Sequence, residues 1–193
     1  YTAKREASMA LKEILIQKTL PGADVLHEMF YYDGEKLWWK RRPASHFASA
    51  RAEKIFNTSH AGNEAGRVDK NGRRAVKVFA KYQYVHRVIW AMNRGDVPKI
   101  IDHVDGNPLN NSLDNLRPAT HSQNMANSKP RKRMAGQLGV PRGVFKMKSG
   151  RYKAVLCNLG KITHLGCFAT AEEAAYVRNK AAVNTHAAFA RVL

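Results

Sequence analysis

Between Asp102 and Asn124 the chain reads DHVDGNPLNNSLDNLRPATHSQN, and no other stretch of the sequence predicts as much. It begins with an acid directly before a histidine, Asp102-His103. A loop rich in asparagine follows, and the stretch ends on a further asparagine, Asn124. Carboxylate, imidazole and amide groups together can hold a hard cation and accept a proton from water. The residue types in this stretch therefore indicate a chemical site rather than only a turn.

The elements that carry this stretch follow from local patterns. Residues 100–103 begin with two isoleucines and predict a brief strand, whereas residues 106–115 contain too much Asn, Asp and Pro for anything but a loop. Residues 116–119 predict a return strand. Thr120 followed by Gln123 is a capping box, which predicts a helix with the last asparagine near its first turn. The predicted order is strand, loop, strand and helix.

The chemistry can be assigned to three side chains. His103 suits a general base, because an imidazole with a pKa of about 6.5 is largely neutral at working pH. Asp102 and Asn124 offer hard oxygen ligands of the kind that Mg²⁺ prefers, and two protein ligands leave positions for water and substrate. Neighbouring strand residues point to opposite faces, so Asp102 and His103 can share one site only if the strand twists or ends there. The turn that follows permits this.

The wider sequence around the stretch repeats a known pattern. It comprises His86-Arg87-Val88-Ile89-Trp90 ahead of the stretch, Asn110-Asn111 and Asn115-Leu116-Arg117 within it, and Asn124 and Asn127 at and beyond its end. Over residues 26–128 the chain resembles the HNH endonucleases, particularly the phage and intron-homing type. This resemblance implies a ββα-metal fold and the hydrolysis of phosphodiester bonds in DNA.

The resemblance also implies a role for each residue of the site. It makes His103 the general base, Asp102 and Asn124 the metal ligands, and Asn115 the residue that ties the loop together and orients the histidine. Other branches of the family have a histidine at the last position. The asparagine found here makes zinc or nickel less expected, and the implied cofactor is a divalent metal, Mg²⁺ first and Mn²⁺ second.

Two other interpretations of nearby residues compete with these roles. Asp105 and the asparagines after it could suggest a calcium loop, but Pro108 and Leu109 stand where an EF-hand needs further ligands and no glutamate closes the loop. These residues are better interpreted as turn formers. His86 could be a second catalytic group, although a histidine on an apolar-faced helix more often packs or contacts a backbone phosphate. Both roles stay open for His86.

The chain before the site predicts small elements. An amphipathic helix is expected between Ala3 and Lys18, with a stop at Leu20-Pro21-Gly22. The next prediction is a hairpin over residues 26–42 that turns at Asp33-Gly34. The remaining predictions are a loop with a helical turn over residues 45–63, a second hairpin over residues 66–69 and 75–84 that turns at Asn71-Gly72, and a short helix over residues 85–93.

The chain after the site predicts a second module. Residues 128–139 have the composition of a linker, and three strand-like runs follow at 143–148, 151–157 and 161–168. Thr170 and Glu173 form another capping box before an alanine-rich helix that can lie close against a sheet. The fold class is therefore α+β: a ββα-metal module with preceding β-hairpins, and a three-stranded antiparallel sheet with one packed helix.

The second module has a resemblance of its own. Its motifs are Gly143-Val144-Phe145, Gly150-Arg151-Tyr152-Lys153-Ala154, Leu165-Gly166-Cys167-Phe168 and Thr170-Ala171-Glu172-Glu173-Ala174-Ala175. They resemble the Apetala-two domain of plant ethylene-response factors, which implies a sheet in the DNA major groove with basic residues toward phosphates or base edges. Val155, Cys157 and His164 stand where charged or aromatic readers are expected, so no sequence preference carries over. A purely structural basic sheet remains the alternative.

Charge and composition indicate the class of molecule that the chain binds. Lys and Arg number 33 against 15 Asp and Glu, a net charge of +18 that suits a polyanion. From Asn115 to Ala171 there are basic residues and no acid. The expected partner is double-stranded DNA, bound by a monomer. The residues expected to contact DNA are Arg87, Arg117, Lys129, Arg131, Lys132, Arg133, Arg142, Lys146, Lys148, Arg151 and Lys153.

The expected location is the cytoplasm, that of the host if a phage encodes the chain. No apolar run is long enough for a membrane span, and the charges scattered through residues 1–20 do not fit a signal peptide. Cys157 and Cys167 fit neither a zinc clip nor a disulfide framework and are expected to be reduced thiols.

These patterns predict four segments and one function. The segments are an N-terminal helix at 1–25, a nuclease domain at 26–128, a basic linker at 129–139 and a DNA-binding domain at 140–193. The predicted function is metal-dependent DNA cleavage or nicking of the homing type. The alternatives are a DNA-binding regulator that does not cleave and a structural RNA-binding protein.

Overall fold

The computed structural model describes residues 20–79, 81–128 and 140–190. The chain divides into two compact units, the first ending at Arg117 and the second beginning at Pro118. Each unit combines helices with antiparallel strands, which confirms the predicted α+β class. The helix predicted over residues 3–18 and the linker at 129–139 lie outside the described residues. No helix in the described ranges has the length and apolar character needed to cross a bilayer.

The first unit is built from short elements. Its helices and strands are α1 (Ala23–Met29), β1 (Phe30–Tyr32), β2 (Leu37–Trp39), α2 (Ala50–His60), β3 (Arg67–Val68), β4 (Arg74–Val78), β5 (Lys81–Tyr84), α3 (Val85–Arg94), β6 (Ile101–His103) and β7 (Leu116–Pro118). Single 3₁₀ turns lie at Ala44–His46 and Leu113–Asn115. The strands pair as β1 with β2, as a sheet in the order β3-β4-β5, and as β6 with β7.

Helix α3 lies at the centre of this unit. Its residues Val85, Val88 and Ile89 are almost fully buried, because apolar residues three and four apart share one face of a helix. They pack in one core with residues of α1 and the first hairpin, among them Leu26 and Phe30. The helix spans the predicted 85–93 and one residue more, so that prediction is confirmed. The next element along the chain after α3 is β6, which carries Asp102 and His103.

The first hairpin differs from its prediction in two ways. Residues 26–29 belong to α1 rather than to a strand, because Leu26 and Met29 face the core from one side of a helix. The turn is also wider than two residues. The carboxylate of Asp33 accepts the backbone N–H groups of Glu35 and Lys36 and the indole N–H of Trp38. This side chain closes a longer loop in place of the predicted tight turn.

The predicted loop over residues 45–63 contains an eleven-residue helix, α2. The prediction was wrong because the buried residue of α2 is the polar Asn57, which a search for periodic apolar residues does not detect. The rings of Phe47, Phe56 and Phe79 each lie within 5.4 Å of the guanidinium of Arg42, which is only 6% exposed. Burial lowers the pKa of Arg42 to about 10. Arg42 thus packs against α2 through the ring of Phe56.

Asn57 holds Arg42 in this place. Its side chain accepts the Arg42 backbone N–H at 2.9 Å and donates to the Arg42 carbonyl at 3.0 Å. Asn57→Ala leaves two buried backbone groups without these bonds, and we expect it to lower the free energy of unfolding by about 2–4 kcal/mol. Thr58→Ala, an exposed change on the same helix, is the control for urea unfolding. Equal losses in the two variants would contradict the role of Asn57.

The predicted long strand over residues 75–84 is two strands. β4 and β5 pair with each other in antiparallel register from Ala75↔Tyr84 to Val78↔Lys81. The chain reverses after β4 at Phe79, whose φ of 50° lies in the left-handed region. No Gly, Asn or Pro marks this reversal in residues 75–84, so local sequence did not predict it.

The second unit contains the predicted three-stranded sheet with its helix. Its elements are α4 (His121–Asn127), β8 (Val144–Lys146), β9 (Tyr152–Asn158), β10 (Lys161–Phe168) and α5 (Ala171–His186). The sheet order is β10-β9-β8 and both pairs are antiparallel. Helix α5 packs on it through Ala174 and Ala175 against Val144 and Ala154.

Two small-residue features allow this close packing. Alanine side chains on α5 let the helix approach the sheet, as its composition predicted. Gly143 has a φ of +74°, and a Cβ there would lie 2.6 Å from the carbonyl oxygen of Val155. Only glycine avoids this clash. Both predicted helix starts are also found, with Thr120 capping α4 and Thr170 capping α5.

Candidate active site

Strand β6 places Asp102 and His103 inside the first unit. All three of its residues are buried, and Ile101 packs with Trp90 and Leu116. The strand ends at His103, and the Val104 backbone N–H donates to the Asn115 carbonyl at 2.9 Å. The expected end of the strand at this point is therefore present, and two adjacent polar side chains are held in a buried position.

The imidazole of His103 has a defined hydrogen-bond partner. Its Nε2 lies 3.2 Å from Oδ1 of Asn111, and the Asn111 amide nitrogen donates to the Leu109 carbonyl. In this arrangement Oδ1 faces the ring, and the histidine tautomer that matches it carries its proton on Nε2. The neutral ring then has its lone pair on Nδ1. Asn111 is thus the direct orienting residue, although its sequence context predicts only a turn former.

Burial keeps His103 neutral. It lowers the pKa of His103, against the opposing effects of the Asn111 hydrogen bond and the nearby Asp105 carboxylate. A base must be unprotonated to act, so a lowered pKa extends its working range toward lower pH. The environment of His103 therefore suits a proton acceptor at neutral pH.

His86 packs directly against His103. The centroids of the two rings are 5.1 Å apart and the ring planes are nearly perpendicular. The His86 ring also stacks on the ring of Tyr84, with the centroids 5.6 Å apart. Burial, followed by the charges of its neighbours, lowers the pKa of His86 to about 3. His86 is therefore an uncharged packing partner of His103, which is the structural role left open by its sequence.

Asn115 makes three hydrogen bonds within the asparagine loop. Its Oδ1 accepts the Asp105 backbone N–H at 3.0 Å. Its Nδ2 donates to the Asp105 carboxylate at 3.0 Å and to the Asn110 carbonyl at 2.8 Å. Asn115 is only 8% exposed, so it makes these bonds from a buried position. The loop that positions Asn111 is closed by this one side chain.

Asp102 makes an ion pair that the sequence did not predict. The Nε and Nη2 atoms of Arg117 both lie 2.9 Å from Oδ2 of Asp102, whose side chain is 5% exposed. A charged hydrogen bond of this kind fixes the carboxylate and offsets the cost of burying it. Arg117 was expected to contact DNA, and that expectation stays a prediction beside this observed contact.

Asn124 lies in α4 and is half-buried. Arg142, which belongs to the same unit, binds the C-terminal end of this helix. The Arg142 guanidinium donates to the carbonyls of Met125, Ala126 and Ser128 at 2.8–2.9 Å, groups that a helix end leaves without partners. Arg142, another expected DNA contact, thus fixes the helix that carries Asn124.

The other expected DNA contacts fall into three groups. Lys129, Arg131, Lys132 and Arg133 lie outside the described residues. Arg87 and Arg151 donate to backbone carbonyls of Pro98 and Cys167. Lys146 and Lys148 are exposed. In the sheet register Lys146 shares the face of Val144 and Ala154, on which α5 packs, whereas Lys153 lies on the opposite, open face beside Phe145.

The metal ligands predicted from the sequence are oxygen donors, which favour a hard cation over zinc. Within the three described ranges, no cluster of three or more His, Cys, Asp and Glu side chains is arranged to hold a metal. The predicted ligands are one carboxylate and one amide, both oxygen donors, which suit Mg²⁺ or Mn²⁺ with water and phosphate completing the shell. Both cysteines are free thiols, as expected. The assignment of Asp102 and Asn124 as ligands stays a prediction.

Comparison with known proteins agrees with this geometry. A family model described as HNH endonuclease matches residues 83–126. Protein 3.8 of Escherichia phage T7 is 42% identical over 71 residues, covering 35% of this chain and 59% of the relative. An uncharacterized HNH endonuclease, L560 of Acanthamoeba polyphaga mimivirus, is 32% identical over 109 residues, covering 55% of this chain and 54% of the relative.

The matches to these relatives cover only part of each protein. The chain spans a little over half the length of each of these relatives. No solved structure matches the chain significantly. The family match begins at β5, includes α3, β6, the asparagine loop and β7, and ends within α4, which are the elements that carry His86, His103, Asn115 and Asn124. The similarity to HNH endonucleases therefore lies chiefly in residues 83–126.

Proposed function

We propose that the protein is a metal-dependent endonuclease or nickase that hydrolyses phosphodiester bonds of double-stranded DNA, of the phage or mobile-element homing type. The observation that carries this proposal is the His103 imidazole, which is buried, neutral and fixed through Nε2 by Asn111. It lies within the segment that matches the HNH family. A rigid neutral imidazole whose other nitrogen has a lone pair is the group that a hydrolytic nuclease needs.

In the proposed mechanism, His103 Nδ1 accepts a proton from a water molecule as that water attacks the scissile phosphorus. The bond from phosphorus to the 3′ oxygen breaks, and the leaving oxygen takes up a proton from solvent. Asn111 stays bonded to Nε2 and stabilises the charge that forms on the ring. Asn115 keeps the loop closed, so that the ring does not turn away from the attacking water.

Asp102 and Asn124 remain the proposed ligands of a divalent cation, because their oxygens match its preference. When bound, such a cation would neutralise the phosphoryl oxygens and stabilise the leaving oxygen. Arg117 would then orient the Asp102 carboxylate through Oδ2.

The finer proposal for the second unit is that its sheet, like an Apetala-two domain, binds DNA. Lys153 on the open face supports it, whereas Lys146 lies on the other face.

Metal removal tests the proposed function. We expect the purified chain to convert supercoiled plasmid to nicked or linear form with Mg²⁺ or Mn²⁺, and to stop when EDTA is added. DNA binding measured by fluorescence anisotropy in EDTA should persist, since the basic residues act without the metal. Cleavage that continues in EDTA after metal-free dialysis would contradict the metal-dependent mechanism.

The same assay separates this function from its alternatives. Tight binding to plasmid without cleavage in either metal would make the protein a DNA-binding regulator, a role compatible with the Asp102–Arg117 ion pair. Preference for RNA over duplex DNA in competition at one salt concentration would instead favour a structural RNA-binding protein. Either result would overturn the proposed endonuclease.

A further inference from the structure

The sheet of β3, β4 and β5 has one face turned away from the core. Val76 and Val78 of β4 point into the core. Residues paired across antiparallel strands share a face, so the pairs Ala75↔Tyr84 and Lys77↔Tyr82 define the opposite side. We call this side the outer face; it comprises Arg67, Arg73, Ala75, Lys77, Tyr82 and Tyr84.

The outer face is basic and aromatic. Arg67, Arg73 and Lys77 are exposed, and Tyr82 is 75% exposed beside Lys77. The three strands contain no Asp or Glu. The nearest acid in the hairpin, Asp69, turns its carboxylate to the backbone N–H groups of Asn71 and Arg73. The charge of the outer face therefore matches a polyanion rather than a protein surface of mixed sign.

Aromatic contacts connect the outer face to His103. The Arg73 guanidinium lies 5.4 Å from the centre of the Tyr84 ring. Tyr84 stacks on His86, which in turn meets His103 edge to face. The positive charge of Arg73 acts on both histidines, adding to burial in lowering their pKa values. Arg73 is therefore the basic residue of the outer face that is connected to the proposed general base through Tyr84 and His86.

We propose that the outer face binds the phosphate backbone of duplex DNA beside the scissile bond, with Arg73 as the contact closest to His103. This inference rests on the proposed function and names a substrate surface that the HNH residues alone do not supply. A guanidinium presents a planar fork that matches phosphate oxygens. Lys77 and Arg67 extend the same charge along the sheet, and the Tyr82 hydroxyl can donate to a further phosphate.

The test compares three outer-face variants, Arg73→Gln, Lys77→Gln and Arg67→Gln, with Arg51→Gln, an exposed arginine on α2. Binding is measured in EDTA on a duplex of random sequence over a range of salt concentrations. We expect each outer-face variant to weaken binding on the order of tenfold and to lower the salt slope by about one. Arg51→Gln should leave both unchanged. Only Arg73→Gln should also lower kcat, because Arg73 contacts Tyr84, which stacks on the His86 ring that packs against His103.

The outcomes distinguish the surface from the activity. Outer-face variants that bind like Arg51→Gln, with the same salt slope, would overturn the inference while cleavage by the wild type keeps the proposed function. If the wild type never cleaves DNA but the outer-face variants bind DNA more weakly than the wild type does, the result supports the binding surface and contradicts the proposed endonuclease. Arg73→Lys keeps the charge and should restore most of the affinity. Because Lys77 and Arg67 are exposed, their variants test the surface even if Arg73→Gln is poorly folded.

Discussion

Replacing His103 with alanine is expected to slow DNA cleavage by roughly 10²- to 10⁴-fold, the contribution usual for a positioned general base. The affinity for DNA in EDTA should not change, because the buried imidazole is neutral and adds no charge to the surface. Plasmid nicking under single-turnover conditions measures the rate, and anisotropy measures the affinity. A variant that cuts at the wild-type rate would remove His103 from the mechanism.

Two further measurements separate catalysis from folding. His60→Ala is the matched control, because His60 is an exposed histidine on α2, outside the asparagine loop. It should retain cleavage. In His103→Gly, added imidazole should restore part of the rate, since a free base can occupy the space that the side chain leaves. Rescue of this kind requires a folded site, so it would not occur if the substitution had only unfolded the protein.

Asn115→Asp is expected to lower the free energy of unfolding by about 3–5 kcal/mol, although the two side chains have nearly the same shape. The Asn115 amide nitrogen donates to the Asp105 carboxylate and to the Asn110 carbonyl. An aspartate there would set an acceptor against both and place two carboxylates 3.0 Å apart. Thermal and urea unfolding measure the loss, and cleavage should fall with it because the loop holds Asn111.

The stability that Asn115→Asp loses should depend on pH, because Asp105 titrates next to the substituted side chain. Partial burial alone would raise the pKa of Asp105, but hydrogen bonds from Asn107, Asn110 and Asn115 hold it below its ordinary value. In the wild type these bonds stabilise the fold above the ordinary carboxyl pKa, and their effect is lost as pH falls through the lowered value. In Asn115→Asp the coupled pair has one raised pKa. The deficit should therefore shrink as pH falls, when one carboxyl takes up a proton.

A matched control exists in the same loop. Asn107 uses its side-chain oxygen to accept the Leu109 backbone N–H. Asn107→Asp keeps that acceptor, so it should change stability far less than Asn115→Asp. If both variants lost the same stability at neutral pH, added negative charge in the loop would explain the effect and the donor role of Asn115 would fail.

The sequence predicted elements best where a local rule determines structure. The capping box of Thr120 and Gln123 marked the start of α4, and the periodic apolar residues of α3 marked that helix within a residue. Local rules failed for α2, whose buried residue is the polar Asn57 rather than an apolar side chain. They also failed at Phe79, where the chain reverses without a residue type that favours a turn.

In the candidate site, too, the sequence predicted some residues and not others. The spacing of Asp102, His103, Asn115 and Asn124 is enough to predict the site, because the proposed chemistry requires those groups. The partners of these groups were not predictable. Asn111 and Arg117 lie eight and fifteen residues from the side chains they hold, and local patterns do not tell which amide or guanidinium a folded loop will bring to them.

Residue identity, spacing and composition were sufficient to identify an HNH segment, a second sheet-and-helix module and an excess of positive charge, since each of these is a property of the linear chain. Three contacts emerged only from tertiary packing: Asn111 sets the proton on Nε2 of His103, Arg117 pairs with Asp102, and Arg73 reaches the histidines through Tyr84. These contacts join residues from different strands and loops. Their geometry follows from how those elements pack, which no local pattern encodes.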